Sequence, residues 1–354
     1  MTASTYDVAE QLHGQKLPAW TVPVIGGVAV AVGVAMVVLG ALHGTADGVV
    51  VAALIFLFGQ TAASFLVEGR RQAKDRMFTT FIWLALVVAL VPLGLIVWKV
   101  VSAGAGSLTG TFLGHSMFTI DPSTPGGGEY HAIIGTLEQG LIATAIAAPL
   151  GVLCAVYLVE YGAGGRFARL VSFFVDVMVG VPSIVAGLFV FTAWILVLGF
   201  QKSGFAGSLA LFILMLPLVI RSTEEMLRLV SDDLRESAYA LGVPKWRTIM
   251  RIVLPTALGG VVTGIMLGVA RIMGETAPLL LLIGINQKIQ FNPFAQVAQD
   301  SLPTFIYEQF QVATGSTTSP AYDRAWGAAL TLIIIIMLLT AIARIIARFS
   351  RVHS

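Results

Sequence analysis

ESAYALGVPKWRTIMRIVLP, residues 236–255, is a charged and helix-patterned stretch between two of the most apolar segments of the chain. Gly242 suits the left-handed conformation that ends a helix, and Pro244 suits the first turn of the next one. The stretch therefore predicts two short amphipathic helices joined by a sharp turn. Their apolar faces would be formed by Leu234, Ala238 and Leu241 in the first helix and by Trp246, Ile249, Met250 and Val253 in the second.

The composition of the surrounding chain indicates a lipid environment. Of 354 residues, 57% are hydrophobic and only 11% are charged, whereas soluble domains carry about 25% charged residues. None of the apolar runs alternates with polar residues, so the membrane-crossing structures are expected to be helices rather than barrel strands. The predicted fold class is all-α, a polytopic membrane protein.

Most of the apolar runs reach the roughly 20 residues that a helix needs to cross the hydrocarbon layer of a membrane. They predict about eight transmembrane helices, preceded by a polar tail at residues 1–19. The runs lie near residues 20–42, 49–67, 78–101, 131–159, 170–200, 205–230, 255–284 and 325–347.

Lysine and arginine residues are unequally distributed between the two sides of the membrane. With the N-terminus inside, sixteen of them fall in inside segments and four in outside segments. Because cytoplasmic loops carry an excess of Lys and Arg, we expect both termini and residues 231–255 to be cytoplasmic. One long outside connection, residues 285–324, has an apolar patch that predicts a short surface helix around Leu302, Phe305, Ile306 and Phe310.

Two charged residues lie near the middle of the seventh apolar run. Arg271 and Glu275 are four residues apart, a spacing that places both on one face of a helix. A charge at the membrane centre costs roughly 2.5–3.5 kcal/mol on insertion scales and usually faces a cavity or a partner. Two interpretations are open at this point: a transport site, and an ion pair that only locks helices together.

Arg221 follows the apolar segment 205–220, so its helix is expected to carry it inside the cytoplasmic half of the membrane. An interfacial anchor is the competing interpretation. Arginine suits a tetrahedral oxyanion because its planar fork donates two parallel hydrogen bonds. Ser183 and Thr276 lie beside intramembrane prolines, where they are candidates for donating to a passing anion, although bonds to freed backbone carbonyls are favoured.

Signatures of catalysis are missing from the sequence. It has no G-x-x-x-x-G-K-[ST] segment for ATP, and its histidines, cysteine and carboxylates show no metal-ligand spacing. Its cytoplasmic cations are explained by topology, so nucleic acid is not an expected partner. We expect a transport subunit without enzyme activity, cofactor or metal.

The opening stretch resembles the EAA signature, E-A-A-x3-G-x9-I-x-L-P, of the membrane subunits of bacterial ABC importers. The signature falls on Glu236, Ala238, Gly242, Ile252, Leu254 and Pro255, with Ser237 in place of an alanine. The resemblance implies that this segment, including Pro244, inserts into a groove of a cytoplasmic ATPase and transmits its closure to the membrane helices.

Further segments resemble the PstA-type phosphate permeases. They are Ile133–Tyr161, Gly180–Phe189, Leu216–Leu227, Ala270–Leu281 and Ala325–Leu332. This resemblance implies a core of six helices of the type I ABC importer permease, here residues 78–350, with the two helices and basic loop of residues 20–77 as additions. It also implies that Arg221 and Arg271 take part in translocating inorganic phosphate across a bacterial cytoplasmic membrane.

The same resemblance implies several partners: a PstC-type permease subunit, a cytoplasmic ATPase dimer, an extracytoplasmic phosphate-binding protein and the lipid bilayer. Two alternative functions are weighed against phosphate import. One is an ion-coupled secondary transporter in which Glu275 or Glu138 carries protons. The other is the same ABC machine acting on sulfate or molybdate.

Overall fold

The computed structural model describes residues 16–41, 44–162 and 164–350, with side chains as far as residue 345. The regular structure of these residues is helical throughout, which confirms the predicted all-α class. Both chain ends, and with them residues 1–15 of the predicted N-terminal tail, lie outside the described residues. The α-helices are α1 (Thr21–Val38), α2 (Thr45–Val67), α3 (Arg70–Gly104), α4 (Gly110–Gly114), α5 (Tyr130–Val156), α6 (Arg166–Val179), α7 (Ser183–Val190), α8 (Gly204–Arg228), α9 (Asp232–Ala240), α10 (Lys245–Thr248), α11 (Leu254–Ile272), α12 (Ala277–Leu282), α13 (Leu302–Ala313) and α14 (Pro320–Ser350).

The membrane-crossing helices agree with the apolar runs of the sequence. In the described part of the chain, seven helices are long and apolar enough to cross a membrane, and counting the bent pair α6–α7 as one span gives eight. The prediction of about eight transmembrane helices is therefore confirmed. The seven single spans are Thr21–Val38, Thr45–Val67, Arg70–Ser107, Tyr130–Tyr161, Gly204–Arg228, Lys245–Ile272 and Pro320–Ile345.

The run near residues 170–200 is a broken span rather than one helix. Helix α6 ends at Val179, and α7 begins at Ser183 after a bend of 107°. Pro182 lies at the break, where its missing N–H and its ring oppose continuation of the helix. The bend separates an amphipathic helix, α6, from the apolar helix α7.

A second break interrupts the run near residues 255–284. Helix α11 ends at Ile272, and the short helix α12 begins at Ala277. Arg271 therefore occupies the last turn of α11, while Glu275 lies in the break. The prediction that both residues share one helical face is wrong, because the helical spacing does not extend past Ile272.

The buried core is built around α8, the most deeply buried of the spans. Helix α5 packs along it at close range: a Cβ added to Gly151 would lie 2.6 Å from Val219 Cγ1. Small residues allow such an approach between membrane helices. Residues of α11 and α12 complete this core, with Ile272, Leu279 and Leu282 all buried.

The chain divides into two compact units, one up to Trp98 and one from Lys99 onward, and α3 contributes to both. In the first unit, α1 packs against α2 through two glycines. A Cβ added to Gly33 would lie 2.5 Å from the carbonyl oxygen of Gly48. This contact is the close backbone approach that small residues permit in lipid.

The turn between α2 and α3 is organised by Glu68. Its carboxylate accepts hydrogen bonds from the Leu17 N–H (2.7 Å), Ser64 Oγ (2.7 Å) and Arg76 Nη2 (2.6 Å). Burial works to raise the pKa of Glu68, but these donors together hold it below its ordinary value. The basic residues 70–76, predicted as a loop, form the first turns of α3, and among them Arg76 makes an ion pair with Glu68.

The connection of residues 285–324 contains the predicted helix, α13, but most of its apolar side is covered. Leu302 and Phe305 are buried and pack with Ala132 of α5 and Ala328 of α14. A capping box of Ser301 and Thr304 starts the helix. The helix is therefore part of the fold of the second unit rather than a separate surface element.

Candidate transport site and coupling segment

Arg221 is the centre of a polar network between α6 and α8. Its Nη2 donates to Asp176 Oδ1 (2.5 Å), Ser172 Oγ (2.8 Å) and the Ser172 carbonyl (2.9 Å). Its Nη1 donates to Glu224 Oε2, also at 2.5 Å. The helix α6 that supplies Asp176 and Ser172 is the first half of the broken span, so the bend at Pro182 positions these groups.

A cavity of about 310 Å³ lies over this network and is lined by Ser172, Asp176, Arg221, Glu224, Glu225 and Arg228. Three carboxylates and two guanidinium groups give the lining no excess of positive charge. Glu224 is held from both sides, since its Oε1 also accepts from Arg228 Nη2 at 2.6 Å, and its side chain is only 8% exposed. The Asp176 side chain is 66% exposed, so it is the more accessible of the two carboxylates bound to Arg221.

Arg271 lies in a different environment. It is exposed at the end of α11, and no described side chain lies within hydrogen-bond or ion-pair distance of it. The neighbouring Glu275 is half-buried, and its backbone N–H donates to the Ile272 carbonyl at 3.2 Å. The structural interpretation of these two charges as a self-contained i,i+4 ion pair is therefore wrong for this conformation.

The two arginines occupy separate levels of the antiparallel helices α8 and α11. A Cβ added to Gly264 would lie 2.3 Å from Ser222 Oγ, which sets the register between the helices. At 1.5 Å per residue, Arg271 then lies about 9 Å further along the axis than Arg221. The structure does not bring the two arginines to one level; it spaces them along the axes of the two helices.

Ser183 and Thr276 stand at the starts of α7 and α12, the short helices that follow the two breaks. These helices pack against each other, and a Cβ added to Gly187 would lie 2.8 Å from the Cα of Pro278. The structure thus brings the two breaks together. Neither hydroxyl bonds to a described backbone carbonyl, so the favoured role of satisfying freed carbonyls is not seen.

The predicted coupling turn is present. Helix α9 ends before Gly242, which has a φ of +76°, and Pro244 precedes α10. The prediction of a separate short second helix is wrong, because α10 continues through a π-helical turn, Ile249–Val253, into α11 as one span, Lys245–Ile272. The second half of the coupling segment is therefore joined by unbroken helix to Arg271.

Only part of each predicted apolar face in the coupling segment is covered. Ala238, Ile249 and Val253 are buried. By contrast, Leu241, Trp246 and Met250 are 84%, 58% and 60% exposed. These three residues, here called the coupling tip, form an apolar surface on a part of the chain that the sequence predicts to be cytoplasmic.

The residues that bind Arg221 and Arg235 are not predictable from the sequence alone. Asp176 is a charge within the apolar run near residues 170–200, but nothing in the sequence pairs it with Arg221. Ser172 and Glu224 carried no signal, and neither did Glu160, which accepts hydrogen bonds from Arg235 of α9.

A second group of buried charges lies at the opposite end of the second unit. Glu129 is fully buried and accepts a 2.5 Å hydrogen bond from Thr331 Oγ1, and His131 Nε2 lies 3.5 Å from Asp300 Oδ2. Burial raises the pKa of Glu129 to about 7, against the opposing effect of the Thr331 hydrogen bond. Burial and the charge of Asp300 raise the pKa of Glu308 to about 8.

Comparison with known proteins agrees with these features. The family described as binding-protein-dependent transport system inner membrane component matches residues 147–351. A phosphate transport system permease protein PstA 1 of Mycobacterium tuberculosis is 50% identical over 281 residues, covering 78% of this chain and 90% of that protein. A phosphate transport system permease protein PstA of Yersinia pestis is 40% identical over 286 residues, covering 79% of this chain and 94% of that protein.

Solved structures support the fold. The crystal structure of a bacterial ABC transporter involved in the import of the acidic polysaccharide alginate has a chain that aligns with a TM-score of 0.52 at 15% identity. The alignment covers 79% of this chain and 99% of that one. The family match over more than half of the sequence and the identity across nearly the whole length of the relatives lead to one assignment. This chain belongs to the family of binding-protein-dependent transport system inner membrane components, among the permeases of the PstA phosphate transport type.

Proposed function

We propose that this chain is the permease subunit through which an ATP-driven importer moves inorganic phosphate into the cell. The observation that carries the proposal is Arg271, a guanidinium group without a described partner at a break in a membrane span. A cation at that depth needs an anion, from a partner chain or from the substrate. The names of the relatives, PstA phosphate permeases, supply the identity of the anion.

The translocation path follows from the two arginine levels. Phosphate first binds at Arg271, whose guanidinium fork can donate two parallel hydrogen bonds to it. Ser183 and Thr276, at the starts of α7 and α12, contribute to the same level. Glu275, in the same break, limits how tightly the anion is held so that it can leave. Arg221 forms the next level, where phosphate replaces the exposed carboxylate of Asp176.

The driving force comes from a separate ATPase, because this chain has no nucleotide-binding signature of its own. The coupling tip of Leu241, Trp246 and Met250 is the surface that an ATPase groove would cover, since an exposed apolar patch on a charged segment marks an interaction site. The segment around it carries the signature residues Glu236, Ser237, Ala238, Gly242, Pro244, Ile252, Leu254 and Pro255.

The proposed assembly has this chain beside a PstC-type permease subunit, above an ATPase dimer and below an extracytoplasmic phosphate-binding protein. The excess of Lys and Arg in the predicted inside segments supports a cytoplasmic position for both termini and the coupling segment, in the bacterial cytoplasmic membrane. Relatives and fold favour this importer over an ion-coupled secondary transporter.

The test is labelled phosphate uptake in cells that lack their own phosphate importers and express this chain with its partner subunits. Wild type is compared with Arg271→Gln, under an uncoupler that abolishes the proton gradient and leaves ATP intact. Arg344→Gln is the matched control, because Arg344 is also exposed on a long apolar helix but does not itself belong to either break.

We expect wild-type and Arg344→Gln uptake to survive the uncoupler and Arg271→Gln uptake to be lost. Collapse of wild-type uptake with the proton gradient would replace the proposal by ion-coupled transport. Normal uptake by Arg271→Gln would remove Arg271 from the path. Competition by excess sulfate or molybdate, at the level of unlabelled phosphate, would contradict the assignment of phosphate as the substrate.

A further inference from the structure

Arg235 of the coupling segment is bound to three elements at once. Its Nε and Nη2 donate to Glu160 Oε1 at 3.1 and 3.0 Å. Its Nη2 also donates to the Leu227 carbonyl (2.9 Å), and its Nη1 to the Val230 carbonyl (2.6 Å) and Asp232 Oδ1 (3.0 Å). The guanidinium is only 12% exposed, so this group is fixed rather than solvated.

The partners of Arg235 mark the ends of two membrane helices. Glu160 lies in the π-helical turn Tyr157–Tyr161 that ends the span Tyr130–Tyr161, and its side chain is 5% exposed. The Leu227 and Val230 carbonyls lie at the C-terminal end of α8, where backbone oxygens lack partners within the helix. A single residue of α9 therefore binds backbone carbonyls at the end of α8 and the Glu160 carboxylate at the end of the span Tyr130–Tyr161.

The second coupling helix is attached to the same point. Lys245 Nζ donates to the Glu160 carbonyl oxygen and lies 5.1 Å from the centroid of the Tyr161 ring. Both halves of the coupling segment, on either side of Gly242, thus hold the end of the span Tyr130–Tyr161. Val253 of the same segment adds an apolar contact, since it packs with Ala155 and Leu227.

The attachment leads to the Arg221 network. Helix α8 carries Arg221 itself, and α5 packs against α8 where Gly151 meets Val219, two residues before Arg221. Because packed helices move as units rather than deform continuously, a displacement of α9 would move α5 and α8 together. The continuous helix α10–α11 carries the same displacement toward Arg271.

We propose that Glu160 and Arg235 are positioning residues that link the coupling segment to the ends of α5 and α8. Through this link, a movement of the ATPase would displace the helix that carries Arg221. This inference rests on the proposed function, since it presupposes an ATPase at the coupling tip. An apolar contact would brace the same helices without the desolvation that a buried ion pair requires. The ion pair instead defines one orientation of α9, which a switching element needs.

The experiment reconstitutes the full complex, with its ATPase and partner permease, in liposomes and measures phosphate moved and ATP hydrolysed in the same sample. The variants are Glu160→Gln, which removes the charge without changing the shape, and Arg235→Lys, which keeps the charge but loses the fork. Asp232→Asn is the matched control, because Asp232 binds the same guanidinium but its side chain is 88% exposed.

The coupling ratio, phosphate moved per ATP hydrolysed, separates positioning from simple destabilisation, since loss of folded complex lowers both rates equally. We expect the ratio to fall about tenfold or more in Glu160→Gln and Arg235→Lys, as one partner of a buried pair is lost, and to stay near wild type in Asp232→Asn. An unchanged ratio in the first two variants, whether the rates fall together or not, would overturn the inference.

The wild-type sample separates this inference from the proposed function. A wild-type complex that moves no phosphate on ATP hydrolysis would overturn the proposed function, and the inference with it. If the wild-type complex moves phosphate on ATP hydrolysis and the Glu160→Gln and Arg235→Lys complexes have the same coupling ratio as wild type, the inference alone is overturned.

Discussion

Arg221 is bound by groups that are distant in the sequence, and this decides how it can act. Asp176 lies 45 positions before it and Ser172 lies 49 positions before it. Both are on α6, which a bend of 107° separates from α7, the other half of the same span. In this conformation the guanidinium is already neutralised. On the proposed path, phosphate would therefore compete with a carboxylate at Arg221, whereas Arg271 has no described partner to displace.

The substitution Asp176→Asn tests this competition. Removal of the exposed carboxylate leaves Glu224 as the one carboxylate described at Arg221, so we expect the KM for phosphate uptake to fall about two- to fivefold, the range of an exposed ion pair. Initial uptake rates at a series of phosphate concentrations measure it. Glu225→Gln is the control, because Glu225 lines the same cavity without a described bond to Arg221; an equal KM change in both variants would argue against specific competition.

Glu129 gives the protein a pH dependence of stability. Its pKa in the folded chain is about 7, above the ordinary 4.5. Between these values the unfolded chain has released the proton and the folded chain retains it, so stability falls as the pH rises. The contribution is complete below about pH 4.5 and is lost as the pH passes through about 7; the pKa of about 8 for Glu308 extends the decline upward.

Thermal unfolding of the purified protein in detergent between pH 5 and 8.5 measures this effect. We expect the midpoint to decrease with rising pH in wild type and to decrease less in Glu129→Gln, which stays neutral and can keep the contact with Thr331. A slope in Glu129→Gln as steep as that of wild type would show that other groups control the pH dependence.

At the scale of elements, the coupling segment and the two broken spans are controlled by glycine and proline. Gly242 takes a positive φ that other residues adopt only with strain, and its N–H donates to the Tyr239 carbonyl at 2.9 Å. Pro182 starts α7 after the 107° bend. The sequence predicted the Gly242 turn, because that signal is local. It did not predict the angle of the bend, which depends on how α7 packs against α12.

Gly242→Pro is expected to abolish phosphate uptake while the protein still inserts into the membrane. Proline fixes φ near −65° and removes the N–H, so α9 can no longer turn back toward α10. Uptake and membrane abundance are measured together. Gly315→Pro is the control, since Gly315 has a φ of +81° with open space around it and lies between α13 and α14. Normal uptake by Gly242→Pro would exclude a coupling role for the turn.

At the scale of the whole molecule, exposed apolar side chains have two different meanings. Those spread along the spans, such as Trp98 on α3, match a protein that has lipid as its solvent. Those of the coupling tip lie on a charged segment, with Arg235, Lys245, Arg247 and Arg251 within residues 231–255, rather than along an apolar span. Trp246 also has the Arg247 guanidinium 5.2 Å from its ring centroid, which gives this tip a cationic edge.

Trp246→Ala is expected to lower co-purification of the ATPase subunit about tenfold, because buried aromatic residues contribute most to interfaces of this kind. Affinity purification of the tagged permease, followed by quantification of the ATPase, measures it. Trp98→Ala is the matched control, a tryptophan of similar exposure outside the coupling segment. Equal ATPase recovery in both variants would place the docking surface elsewhere.

The sequence by itself determined the features that depend on local composition and spacing. These are the helical class, the number of spans, the turn at Gly242 and the arginines that a membrane should exclude, because transfer into lipid and backbone preference act residue by residue. Only the tertiary structure decided the pairings. Arg221 with Asp176 and Arg235 with Glu160 join residues 45 and 75 positions apart. It also decided that α11 ends at Ile272, so that Arg271 and Glu275 do not share a helical face. Such contacts are set by which helices pack together and at what register, and neither quantity is written in the spacing of a single chain segment.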